Sequence, residues 1–195
     1  MFYSPNKGWK DDPWMYQKVE NHTQMELFNH MWKESFSEKK YELEEYSWNA
    51  QRYLIQNKCG ELKGTIELIP YTRDVEKSTI EDMFPFSSLE ITKTTPLHQI
   101  YEIDKLSVYK EGRKEGTLEN ILKFMLEFAR QNDVLYYFAL INPLLFRAIK
   151  IAYEIPVERA GKLIKTKEYP IQPMYIDVEK VMQLQNHPFL SLKST

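Results

Sequence analysis

The chemically suggestive residues of this chain gather between Ile100 and Ala152. Ile100–Val108 (IYEIDKLSV) carries Glu102 and Lys105 and has the composition of a strand. The loop Tyr109–Gly116 (YKEGRKEG) follows, with Lys110, Arg113 and Lys114 as its cations. Thr117 then stands where it can cap a helix over Leu118–Gln131. A strand that runs through a glycine-bearing loop into a helix sets free backbone N–H groups beside an anion. The expected cradle is the backbone of Arg113–Thr117, including Gly116, with Val108 at the strand end. Such a cradle suits a pyrophosphate or the phosphate of a phosphopantetheine arm. A solvated charge run is the plainer reading of the three cations.

The elements around this loop follow from periodicity. Leu118, Ile121, Leu122, Met125, Leu126 and Ala129 fall at helical spacing. Val134–Asn142 (VLYYFALIN) is a continuous apolar run, as in a strand covered on both faces. A second helix is expected over Pro143–Ala152. Upstream, Asn21–Lys40 reads as a helix with Met25, Phe28, Met31, Trp32 and Phe36 along one face. Tyr46–Gln56 and Glu61–Tyr71 read as a hairpin turning at Asn57–Gly60. Gly64, inside the returning strand, predicts a bulge or a close backbone approach. Thr72–Leu97 reads as irregular, anchored by Glu81–Phe86. Two closing strands, Arg159–Thr166 and Tyr169–Val178, precede a short helical turn over Asp177–Gln185.

Hairpin-linked and helix-linked strands in one chain predict an α/β (α+β) fold. The sheet is mixed and mostly antiparallel, with helices on both faces. The expectation is a single domain over residues 1–195, with 1–20 as an arm and 186–195 as a loose tail.

Bulk properties remove several functions. The formal charge of −2 offers no general attraction to nucleic acid. One cysteine, Cys59, excludes an internal disulfide, and the four histidines show no metal-ligand spacing, so no metal is expected. No stretch approaches the length of a membrane span, and no signal peptide opens the chain, so a cytoplasmic protein is expected.

The loop and its flanking elements resemble the core of the GNAT acyltransferase superfamily. Its pyrophosphate loop reads Arg/Gln-x-x-Gly-x-Gly/Ala, and here Arg113, Gly116 and Leu118 stand at those places, the last departing. The run Glu42–Val108 is similar to one branch, the autoinducer (acyl-homoserine-lactone) synthases and N-acyl amino acid synthases. That branch has an acidic motif and then Arg-Tyr-Leu/Ile. Here Glu42-Leu43-Glu44-Glu45-Tyr46-Ser47 precedes Arg52-Tyr53-Leu54-Ile55. Its Gly-Thr-x-Arg-Leu-x-Pro strand matches Gly64-Thr65-Ile66-Glu67-Leu68-Ile69-Pro70. Its Phe-bearing loop matches Asp82-Met83-Phe84, and its Glu-x-x-Arg strand matches Glu102-Ile103-Asp104-Lys105.

The resemblance implies an N-acyltransferase moving an acyl group from a thioester to a small-molecule amine. The co-substrate would be acyl-CoA or an acyl-phosphopantetheine carrier protein, with no covalently bound cofactor. Lys110, Arg113 and Lys114 would then also suit docking of that acidic carrier. Glu102 would be the general base, and Tyr153, in Tyr153-Glu154-Ile155-Pro156, a proton donor to the departing thiolate. Glu42, Glu44, Glu67 and Lys105 would hold the amine, with Trp32 and Phe36 lining the pocket. Structural readings stand beside these: Glu67 or Glu102 paired with Lys105, and Tyr153 as an ordinary core or surface tyrosine.

The departures fall at charged positions. Ser47 replaces the third acid, Glu67 an arginine, Lys105 an arginine, and Trp32 an arginine of the first helix. Counted on matched positions, the site is more anionic than the family pattern, unless Arg52 or Arg73 supplies a cation. A glutamate reverses the sign of an arginine, and lysine lacks arginine's planar fork. Homoserine-lactone synthesis from S-adenosylmethionine is therefore not the expected reaction, and a cationic amine suits the cluster better. An acetyl-CoA-dependent N-acetyltransferase and a non-catalytic ligand-binding module of the same fold are the alternatives.

Overall fold

The computed structural model describes residues 14–36, 49–167 and 169–184. The first part of the expected arm and the expected tail, 186–195, lie outside the described residues. Eight strands form the sheet: β1 (Trp14–Lys18), β2 (Gln51–Asn57), β3 (Leu62–Pro70), β4 (Ile100–Val108), β5 (Tyr136–Ile141), β6 (Val157–Arg159), β7 (Ile164–Lys165) and β8 (Pro170–Asp177). Their order is β1-β2-β3-β4-β5-β8-β6, with β7 beside β8. Helices α1 (His22–Phe36), α2 (Glu90–Thr94), α3 (Thr117–Asn132), α4 (Pro143–Arg147) and α5 (Val178–Met182) complete the described fold. β4 and β5 are parallel, as their connection through α3 requires. The β1–β2, β2–β3, β5–β8, β6–β8 and β7–β8 pairs are antiparallel. Among the described residues, no helix is long and apolar enough to cross a membrane.

The described residues fold into two compact units: 14–36, 49–68 and 105–125, and 69–104, 126–167 and 169–184.

In the first unit, β1 is an element that sequence patterning misses. Only Tyr16 of its five residues is buried, so no alternation marks it. Tyr16 stacks on Phe124 at 4.6 Å and donates its hydroxyl to the Asn120 carbonyl at 3.0 Å. Asn21 does not begin α1 but caps it, accepting at Oδ1 from the Gln24 N–H at 3.0 Å. Phe28 and Met31 pack on Leu54 of β2. In the hairpin turn, Asn57 Oδ1 accepts from the N–H groups of Cys59 and Glu61, both at 3.0 Å, and Gly60 takes φ +78°.

Gly64 meets both alternatives read from the sequence. The β2–β3 register slips between Ile55↔Gly64 and Gln56↔Leu62, so a bulge sits beside it. A Cβ there would lie 2.5 Å from the Ser107 carbonyl oxygen. Thr117 departs from its expected role. It lies within α3, and its hydroxyl donates to the Gly112 carbonyl at 2.7 Å instead of capping the helix. That bond folds the loop onto the helix start.

In the second unit, Tyr71, Ile80, Phe86, Ile100 and Phe138 form one core cluster. Phe86 stacks on Phe138 at 4.9 Å and Tyr71 meets it edge-on at 5.1 Å. The expected helix over Pro143–Ala152 divides into α4 and a π-helical turn, Ala148–Ala152. Asn142 caps α4 by accepting from the Leu144 N–H at 2.8 Å.

Candidate active site

Glu102 stands at the third residue of β4, fully buried. It is also the last residue at which β4 pairs with β5, opposite Phe138. Beyond that point, among the described residues, Ala139, Leu140 and Ile141 have strand partners on the β8 side alone. Thr79 donates to Glu102 Oε2 twice, from its N–H at 2.9 Å and its hydroxyl at 2.8 Å. Oε1 has no hydrogen-bond partner among the described residues. Burial pushes the Glu102 carboxyl up to about 7. The Thr79 N–H, the nearby Ser78 hydroxyl and the Thr79 hydroxyl pull it down, and the charge of Asp104 adds to the rise.

The residues around Glu102 include several that sequence reasoning missed. Tyr71 donates its hydroxyl to Glu81 Oε2 at 2.8 Å, and the Ser87 N–H reaches Glu81 Oε1 at 3.0 Å. Burial holds the Tyr71 phenol far above its usual range, with the Glu81 and Glu102 carboxylates adding to the effect, so it stays a neutral donor. Ser78 Oγ accepts from the N–H groups of Ile80 and Glu81 at 3.3 and 3.1 Å. The run Ser78-Thr79-Ile80-Glu81 carries the Ser-x-x-Glu spacing of a capping box, the signal that marks this turn in the sequence. Tyr153 is half-buried at the end of the π-helical turn in the same unit.

In the first unit the charged residues follow the structural reading that stands beside the binding role. Lys105 Nζ lies 2.6 Å from Glu67 Oε2, and Arg52 Nη2 lies 2.7 Å from Glu67 Oε1. All three side chains are buried. Arg52 and Glu67 are directly opposed in the β2–β3 register. Glu67 thus makes the pairing with Lys105 that stands beside its binding role, and Arg52 supplies a further cation to it. Two cations enclose one carboxylate, and Glu67 is committed to them. Trp32 is half-buried on α1. Glu42 and Glu44 lie outside the described residues, and of Phe36 and Lys114 only the backbone is described.

The loop after β4 is a 3-10 turn over Glu111–Lys114. Its hydrogen bonds occupy two N–H groups of the expected cradle. The Arg113 N–H goes to the Lys110 carbonyl at 3.4 Å and the Glu115 N–H to the Gly112 carbonyl at 3.1 Å. What fits an anion is the next turn of chain. Gly116 takes φ +77°, and the first N–H groups of α3 have no partner one turn back within the helix. Lys110 and Arg113 are exposed beside it, and Val108 is half-buried at the end of β4. Among the described residues, no three His, Cys, Asp or Glu side chains converge on a metal position.

No protein-family model and no curated protein matches this sequence. Solved structures do match the fold. FeeM, an N-acyl amino acid synthase from uncultured soil microbes, has a TM-score of 0.68 at 12% identity, over 87% of this chain and 93% of that one. MesI, a CoA-dependent acyl-homoserine lactone synthase, has a TM-score of 0.58 at 14% identity, over 80% and 81%. Spermidine N-acetyltransferase from Vibrio cholerae, solved with CoA and spermine, has a TM-score of 0.59 at 12% identity, over 88% and 99%. The chain therefore has the GNAT fold, a mixed and mostly antiparallel sheet with helices. Within that fold it is similar both to N-acyl synthases and to polyamine acetyltransferases.

Proposed function

We propose that this protein is an N-acyltransferase that moves an acyl group from a thioester to a small-molecule amine. The observation that carries the reading is Glu102: a fully buried carboxylate with one oxygen anchored, the other without a hydrogen-bond partner among the described residues, and a carboxyl pushed up to about 7. A general base works best when its pKa lies near the working pH. The likeness to FeeM, MesI and the spermidine acetyltransferase supports the class of reaction.

In this reading the amine attacks the thioester carbonyl carbon as its lone pair becomes available. Glu102 takes a proton from the ammonium or the attacking nitrogen, directly or through one water. The C–N bond forms, the C–S bond breaks, and the thiolate leaves and takes up a proton, for which Tyr153 is the candidate donor. The donor's phosphate would rest on the first N–H groups of α3 beside Gly116, with Lys110 and Arg113 adding charge. The side of β5 away from β8, beyond Phe138, would offer backbone partners to an extended amide-bearing arm such as pantetheine. The N-acyl synthase resemblance favours a donor with a longer acyl chain, on CoA or on a carrier protein.

The test is a thermal-shift series of acetyl-CoA, medium-chain and long-chain acyl-CoA and an acylated carrier protein, followed by turnover of Glu102→Gln. Ligands that bind only the folded state raise its melting temperature. The expected result is stabilisation that grows with chain length, and a loss of kcat of about 10²–10⁴-fold in the variant. A shift with acetyl-CoA that longer chains abolish would redirect the reading to an acetyltransferase. Unchanged turnover in Glu102→Gln would remove Glu102 as the base.

A further inference from the structure

Resting on the acyl-transfer reading, the geometry points to Thr79 as the residue that positions Glu102. We propose that Thr79 pins Oε2 and so assigns Oε1 as the oxygen that receives the amine's proton.

Two donors from a single residue reach the same carboxylate oxygen, the Thr79 N–H at 2.9 Å and its hydroxyl at 2.8 Å. Both bonds end on Oε2, so turning the carboxylate away would break both. Glu102 is fully buried, and its other oxygen is left without a hydrogen bond among the described residues. An unsatisfied buried acceptor is costly, and such a group in a native structure calls for an explanation such as a catalytic role or a ligand. Here the substrate nitrogen or a water completes Oε1 when the site is occupied.

Thr79 is itself held on both sides. The Ser78 N–H donates to the Asp74 carbonyl at 2.9 Å, and the Ser78 hydroxyl receives the N–H groups of Ile80 and Glu81. Ile80 is buried in the cluster with Tyr71, Phe86 and Phe138. The turn is thus a rigid mount, and Thr79 is its contact with the carboxylate.

The charged and titratable groups that bear on Glu102 are Asp104 on β4 and Tyr71 just after β3, with Tyr71 bonded to Glu81 and influenced by Arg73. β5 presents Phe138 at the paired position. None of these donates a hydrogen bond to either Glu102 oxygen; the hydroxyls that favour the charged form are those of Ser78 and Thr79, and the Thr79 hydroxyl is the one bonded to Oε2.

The test is the carboxyl titration of Glu102, read by carbon NMR on glutamate-labelled protein and assigned by its loss in Glu102→Gln. Thr79→Val removes the hydroxyl and keeps the backbone N–H, with Thr79→Ala as the smaller companion variant. The expected result is an upward shift of about one pH unit, reversed in Thr79→Ser. The acid limb of kcat shifts by the same amount, kcat falls, and the KM for the acyl donor is unchanged. A folded Thr79→Val or Thr79→Ala protein with an unshifted titration overturns the proposal, as does failure of Thr79→Ser to restore it. The titration needs no substrate, so it separates this proposal from the catalytic one. If Glu102→Gln keeps full turnover while the Thr79 variants shift the titration, the anchoring stands and the assignment of Oε1 as proton acceptor falls.

Discussion

Lys105 and Glu67 meet at 2.6 Å, with both side chains buried, and Lys105 makes that contact from φ +44°. This is the left-handed region, uncommon for a residue with a side chain. The conformation is held at two points. The Lys105 carbonyl accepts the Thr65 hydroxyl at 2.8 Å, and the same hydroxyl oxygen lies 2.8 Å from Ser107 Oγ. The ammonium is held by Glu67, which Arg52 also grips. Strain of this kind persists where the surroundings over-determine it.

Glu67→Leu should therefore be among the most damaging single changes in the first unit. It leaves Arg52 and Lys105 buried together without the carboxylate between them. Breaking a buried pair this way costs about 3–5 kcal/mol. Urea denaturation of the variant checks it.

Gly64→Ala and Gly161→Ala should differ although both are crowded. At Gly64 the new methyl meets a backbone carbonyl, that of Ser107 at 2.5 Å, which moves only with its strand. At Gly161 it meets the edge of the half-buried Phe84 ring, which turns more easily. The expected loss at Gly64 is about 1–3 kcal/mol, and the loss at Gly161 is smaller. Paired thermal melts of the two variants decide the order.

Glu102 should make stability fall as pH rises. Its folded pKa, about 7, lies above the ordinary 4.5, so the folded protein binds the proton more tightly than the unfolded chain. Stability is full below pH 4.5, declines between 4.5 and 7, and is level above 7. The shift corresponds to about 3 kcal/mol. Glu102→Gln should lack this decline and should be the more stable protein at pH 8. Denaturation at pH 4.5, 6 and 8 checks both statements.

Reversing charge in the loop should weaken donor binding without touching the fold. Lys110 and Arg113 are both exposed. The double variant Lys110→Glu, Arg113→Glu should raise the Kd for acyl-CoA about tenfold or more. The difference should shrink as salt rises, because exposed charges are screened. Calorimetric titration at two salt concentrations reads it.

The sequence discloses elements whose signal is local. β4 is bounded as its composition predicts, from Ile100 to Val108. The turn at Asn57–Gly60 announces the β2–β3 hairpin, and Gly64 announces its irregularity. Contacts between distant residues leave weaker traces. Thr79 and Glu102 are 23 positions apart, and nothing in either residue's neighbourhood names the other. The Arg52–Glu67 pairing depends on a register that the bulge beside Gly64 displaces. β1 hides because its partner strand supplies its stability while its own sequence buries one side chain. Thr117 has a capping residue's identity, but the Gly112 carbonyl claims its hydroxyl.

The burial of Glu102 carries a physiological corollary. With its carboxyl pushed up to about 7, Glu102 changes charge around neutrality, and acid favours its protonated form. In the proposed role of Glu102 as base, acidification would lower turnover without any effector molecule. On the proposed reading the enzyme would sense acidity through a single carboxylate kept out of water.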